Sequence, residues 1–162
     1  MTVRRAIVPV SRALLPNAVL LVERALTDTP YLGGALDALR SAVSAPGADG
    51  RALASMRSER LEGVIVFGFF GGANGAGRVQ LAVTDDWARR THAGTALLDE
   101  AITLLRADGA RFVLAELPDD PRALPGAREL LESSSFREES RVEDFYRVGV
   151  ALSFMRRELG AR

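Results

Sequence analysis

The chain has 162 residues and is nearly half apolar, which suits one compact domain with a full core better than two. Its formal net charge is zero and no basic stripe is visible, so nucleic acid is not an expected partner. All 21 basic residues are arginine and cysteine is absent, which excludes lysine chemistry, disulfides, thiolate nucleophiles and cysteine metal sites.

The first residues, Met1 to Val8, lack a long apolar run followed by a cleavage site, and no stretch approaches a membrane span. A cytoplasmic protein with no membrane partner is expected. Arg5–Val10 reads as a short strand. A helix is predicted from Leu14 to Leu26, with Val19, Val22 and Leu26 on one face and Pro16 in its first turn. Thr29-Pro30 breaks it. Leu32, Ala35, Leu36, Leu39 and Val43 then recur at helical spacing until Pro46-Gly47.

After this the period changes. Arg51–Arg57 is a strand candidate. Val64–Phe70 is almost wholly apolar, as expected of a central strand covered on both faces. Asn74-Gly75 is a hairpin signal, and Val79, Leu81 and Val83 alternate with Arg78, Gln80 and Ala82 as the return strand. Leu61–Val83 is thus read as an antiparallel hairpin. The glycines of Gly72–Gly77 suggest a dinucleotide fingerprint, but they lead into a strand where a fingerprint opens a helix.

Leu97, Leu98, Ala101, Ile102 and Leu105 form one helical stripe, closed by Asp108-Gly109. Arg111–Leu117 reads as a buried strand. The helix before it is then a crossover, and the two strands it joins are parallel neighbours. Ala123–Glu132 is predicted as a last helix, with Phe136–Tyr146 and Ala151–Arg157 as closing strands. The expected fold is α+β, a central mixed and mostly antiparallel sheet flanked by helices, built from residues 1–162 as one domain.

The informative segment runs from Val83 to Leu98. A strand ends, a loop carrying Arg89 and Arg90 turns, and a helix opens on Ala93, Gly94 and Ala96. The start of a helix offers unpaired N–H groups and partial positive charge, a ready site for phosphate. Small residues let a pyrophosphate approach the backbone, and an arginine adds a charge-assisted contact.

Arg89-Arg90-Thr91-His92-Ala93-Gly94 resembles the Arg/Gln-x-x-Gly-x-Gly/Ala signature of the GNAT N-acetyltransferases, matching at Arg89 and Gly94. Ala127 to Phe136 is similar to the family's Ala-x-x-Phe-Tyr-x-x-x-Gly-Phe helix and strand start. Val142 to Gly149 and Phe154 to Leu159 are similar to the ending of many members. The similarity runs from about Leu61 to Leu159; earlier residues match in element order alone.

The resemblance implies acetyl-CoA as cosubstrate, no metal, and a primary amine acceptor, either a small molecule or a protein amino group. A homodimer is compatible with it. It implies a splay between the fourth and fifth strands, with Leu81, Ala82 and Val83 holding the pantetheine arm. The pyrophosphate would lie on Arg89, Arg90, Thr91, His92, Ala93, Gly94 and Thr95. Two departures stand out. His92 occupies the first glycine position, which costs about 1–2 kcal/mol if the backbone there is left-handed. Leu131 stands where many members carry a tyrosine that protonates the leaving thiolate. A catalytically degenerate acyl-CoA-binding or regulatory module is therefore the alternative.

Amine acetylation needs a proton acceptor and an oxyanion donor, the latter typically a strand-four N–H. Glu116, at the end of the fifth strand, is the candidate base, or else an exposed strand-end acid. Tyr146 is the candidate acid, or else a cross-strand packing residue. Asp85-Asp86 and Asp119-Asp120 should lie at one end of the sheet, as attractors of a cationic amine or as loop acids and helix caps. His92 is the single histidine, so neither a metal cluster nor a serine triad is expected. Trp87 either walls the crevice or packs beside the loop.

Overall fold

The computed structural model describes residues 3–160, and its elements follow the predicted order. Strand β1 (Arg5–Pro9) leads into helices α1 (Leu15–Leu26) and α2 (Leu32–Ser44). Strands β2 (Arg51–Arg57), β3 (Arg60–Phe69) and β4 (Ala76–Thr84) follow, then the crossover helix α3 (Ala93–Ala107) and β5 (Phe112–Pro118). Helix α4 (Ala127–Ser133) and the hairpin of β6 (Arg137–Arg147) and β7 (Val150–Glu158) close the chain. The seven strands lie in the order β1-β2-β3-β4-β5-β7-β6, and β4 and β5 pair in parallel.

Strand alternation divides the core between the two faces of this sheet. Leu53, Ile65 and Phe67 face α3, whose stripe Leu97, Leu98, Ala101, Ile102 and Leu105 is buried against them. Ala52, Ala54, Val64 and Val66 face α1 and α2. β3 is therefore apolar on consecutive residues because both faces are covered. Each large side chain so buried contributes roughly 1.5–3 kcal/mol.

Three local features position the site. Gly63 lies opposite Thr84, and a β-carbon there would meet the Val83 carbonyl oxygen at 2.7 Å and Leu97 at 3.2 Å. Glycine thus lets the first turn of α3 seat on the end of the sheet. In β4, Val79 pairs with Phe67 and Leu81 with Val66, leaving Gln80 as the extra residue of a bulge. In β6 the ladder jumps from Val142↔Leu152 to Arg147↔Val150, so residues 143–146 arch away. Asp144, at φ 52°, accepts a 2.7 Å hydrogen bond from Gly149 N–H within that arch.

One predicted element starts later than expected. The last helix begins at Ala127, not Ala123. Pro125 disfavours helical geometry at Leu124, and Gly126 is left-handed at φ 77°. The N–H groups of Ala123 and Leu124 instead bond back to Asp120 O at 3.1 and 2.8 Å.

Candidate functional site

Pairing of β4 with β5 runs from Ala76↔Phe112 to Val79↔Ala115 and then stops. β5 continues alongside β7 as far as Pro118↔Leu152. Beyond the Gln80 bulge, β4 therefore has β3 on one side and a gap on the other. A cavity of about 470 Å³ opens there and passes through the sheet. Tyr31, Gly34 and Tyr146 line it on the α2 side, and Leu98, Leu130 and Leu131 on the α3 side.

The ladder decides which β4 groups face the gap. Asp85 N–H donates to Glu62 O at 2.8 Å, towards β3. Backbone groups alternate in direction along an antiparallel strand, so Val83 and Leu81 also bond β3. The peptide groups of Ala82 and Thr84 point into the gap. Of the three residues expected to hold the arm, Ala82 alone presents its backbone there; Leu81 and Val83 contribute side chains to the cavity wall.

The loop before α3 has the features of an anion cradle. His92 is the N-cap in left-handed geometry, φ 63° and ψ 22°, and makes no side-chain capping bond. The first helical bond runs from Ala96 N–H to His92 O at 3.0 Å. Among the described residues, the N–H groups of Ala93, Gly94 and Thr95 have no acceptor. A β-carbon on Gly94 would stand 3.2 Å from Leu130 and 3.6 Å from Thr84, across the mouth of the gap. Arg90 is exposed, and Arg89 pairs with Asp86 at 2.9 Å on the same loop. Thr91 turns inward instead: its N–H and its hydroxyl both donate to Ala88 O.

Beneath this loop lies a network that sequence reasoning missed. Glu62 in β3 has 0 % exposure. Arg5 donates to it through Nε at 2.6 Å and Nη2 at 3.1 Å, and Ser55 through Oγ at 2.7 Å. The same Arg5 Nη2 donates to the Thr91 carbonyl at 2.5 Å. Burial pushes the Glu62 carboxyl up, but bonds from Arg5 and Ser55 and the charge of Arg5 outweigh it and hold it below the ordinary glutamate value. The left-handed turn is thus pinned from below by an ion pair.

The catalytic candidates meet at the α2 side of the cavity. Glu116 and Tyr146 both line it, and burial together with the Glu116 charge pushes the Tyr146 phenol up. The arch in β6 carries Tyr146 over the cavity, edge-on to Tyr31 with ring centroids 5.4 Å apart. Tyr31 OH donates to Asp120 Oδ2 at 2.9 Å, and burial plus that bond push its phenol up to about 12. The four predicted loop acids are all engaged by arginine: Asp85 by Arg24, Asp86 by Arg89, Asp119 by Arg141 and Asp120 by Arg147. Each is thus paired within the protein, Asp86 only to the exposed Arg89 of its own loop. Trp87 packs under Arg60, 4.0 Å from its ring centroid, and does not line the cavity. Among the described residues no group of three or more histidine, cysteine or acidic side chains could hold a metal ion. Nor is any described helix long and apolar enough to cross a membrane.

A parallel pair that splays, with a helix start beside the opening, is the arrangement that the resemblance implied. This is the GNAT fold. A protein assigned to the GNAT acetyltransferase family from Desulfovibrio desulfuricans superposes with a TM-score of 0.80 at 23% identity, covering 97% of this chain and 100% of its own. A ribosomal-protein-alanine N-acetyltransferase from Brucella melitensis gives 0.76 at 20% identity over 95% of this chain and 99% of its own. An aminoglycoside 6'-N-acetyltransferase from Enterococcus faecium gives 0.76 at 13% identity over 97% and 98%. No family model matches the sequence, and no curated protein matches it. The likeness to GNAT structures thus lies in the backbone, and the chemistry rests on this chain's own residues.

Proposed function

We propose that this chain is an N-acetyltransferase that takes an acetyl group from acetyl-CoA to a primary amine. The observation that carries the reading is the set of unpaired N–H groups on Ala93, Gly94 and Thr95, beside a gap that β5 leaves along β4. A diphosphate fits that helix start in charge and in donor number. Gly94 keeps the approach open, and Arg89 and Arg90 add cationic groups at the rim. The pantetheine arm is itself strand-like, and the Ala82 carbonyl and the peptide groups of Thr84 supply the ladder partners it needs.

The acceptor enters from the α2 side. Its neutral nitrogen attacks the thioester carbon; the C–N bond forms and the C–S bond breaks. Glu116 takes the proton shed by nitrogen, directly or through water. Tyr146, a neutral phenol whose pKa burial and the Glu116 charge push up, gives a proton to the departing thiolate in place of the tyrosine absent at Leu131. Ala82 N–H points at the developing oxyanion. GNAT-fold neighbours described as acting on a ribosomal protein and on aminoglycosides are consistent with amine acceptors of either size.

Release of CoA thiol from acetyl-CoA across a panel of primary amines tests the reading, and turnover with any member supports it. Leu131 at the tyrosine position favours the second reading, a non-catalytic acyl-CoA-binding module. That reading requires acetyl-CoA to raise the melting temperature while every amine fails to turn over. No thermal shift and no turnover would remove both.

A further inference from the structure

Arg78 in β4 is a cation without a counter-ion. Its Nε is buried and has no hydrogen-bond acceptor, and no described carboxylate pairs with it. Its guanidinium carbon lies 5.1 Å from the centroid of Phe70, which leaves the planar fork of N–H donors unmatched. The side chain lines the same cavity as Glu116.

The register places these two charges on one wall. Arg78 is the partner of Leu114 in the parallel pair, so the two side chains share a face. Glu116 follows Leu114 by two residues and points the same way, about 7 Å further along the strand. Among the described residues neither side chain has an ion-pair partner, and they do not bond each other. Across the cavity α2 presents Gly34, Ala35 and Ala38, which offer space but no charge. Arg78 is half-buried, but its buried Nε–H left without an acceptor is costly, and a carboxylate from outside would satisfy the fork with two parallel bonds.

We propose that the acceptor carries a carboxylate besides its amine, and that Arg78 binds this carboxylate while Glu116 faces the nitrogen. The acceptor is then a small amino acid-like molecule. The proposal rests on the acetyltransferase reading for the amine's fate, but the carboxylate site stands on Arg78 itself.

Calorimetric titration of glycine, β-alanine and γ-aminobutyrate against their methyl esters tests it without any turnover. At least one acid should bind the wild-type protein about ten-fold or more tighter than its ester, the size expected of a charge-assisted bond. Arg78→Met should bring that ratio close to one, and Arg78→Lys should restore part of it. Acetyl-CoA affinity of each variant reports correct folding. Equal affinity of every acid and ester, binding of none of them, or a ratio unmoved by Arg78→Met would overturn the proposal. Failure of the wild-type protein to bind acetyl-CoA, with the acid preference intact, would instead overturn the acetyltransferase reading alone.

Discussion

Arg5 Nε lies 2.6 Å from Glu62 Oε2, joining the first strand to the floor of the loop that precedes α3. Because the same guanidinium holds the Thr91 carbonyl, the pair sets the turn from which Ala93, Gly94 and Thr95 present their N–H groups. Removing Arg5 leaves a fully buried carboxylate without its counter-charge, held by Ser55 and Thr91 hydroxyls alone. Arg5→Ala should therefore cost about 3 kcal/mol of stability in urea unfolding, and weaken acetyl-CoA binding as the turn relaxes.

The same pair gives an acid dependence. The folded value for Glu62 lies below its unfolded value, so its contribution is complete above the ordinary glutamate value of 4.5. It is lost as pH falls through the depressed folded value. Urea midpoints measured from neutral pH down to acid should fall in that window, and Glu62→Gln should fall less steeply there. Asp120 and Glu138, also held low, keep the slope from vanishing.

His92 holds left-handed backbone with a β-carbon. The strain is about 1–2 kcal/mol, and glycine would relieve it while adding about 0.5–1 kcal/mol of unfolded-state entropy. His92→Gly should thus stabilise the ligand-free protein by roughly 0.5–1 kcal/mol, read as a raised urea midpoint. Ser135 at φ 67° stands where the family pattern has glycine and should respond in the same direction.

Tyr31 gives an alkaline dependence of opposite sense. Its folded value of about 12 lies above the unfolded value, so its contribution is complete below pH ~10 and lost as pH rises towards the folded value. Stability measured between those limits should decline, and Tyr31→Phe should flatten the decline.

If Glu116 and Tyr146 move protons, losing either group should lower kcat by about a hundred-fold or more and leave the acetyl-CoA KM nearly unchanged. Steady-state kinetics of Glu116→Gln and Tyr146→Phe measure this. A change confined to the amine KM would mark both residues as binding groups.

Much of the fold was legible because its signals are local. The apolar run of Val64–Phe70, the Asn74-Gly75 turn and the stripe from Leu97 to Leu105 each state their own period. The helix between two strands then implied the parallel pair, and with it the gap. What escaped the sequence is non-local. Glu62 sits beside Leu61 and Gly63 at the edge of an apolar run, and that was its one signal; Arg5, its partner, is 57 residues away. The direction of Ala82 and Thr84 depends on a bulge at Gln80, which no residue pattern announces. The late start of α4 was marked by Pro125-Gly126, a pair whose turn chemistry competes with the helical spacing of Ala127 to Leu131. In sequence Arg78 only alternates with Val79, Leu81 and Val83, and it is the position of α2 that makes its face a cavity wall.

The central claim is that the start of α3 holds a diphosphate. Calorimetric titration with acetyl-CoA, beside S-acetylpantetheine that lacks the diphosphate, tests it most directly, using the wild-type protein and Gly94→Trp. Wild-type binding should weaken by about a hundred-fold or more without the diphosphate, and acetyl-CoA binding should be lost when the indole fills the space between Gly94, Leu130 and Thr84. Equal binding of the two ligands, or unchanged acetyl-CoA affinity in Gly94→Trp, would contradict it.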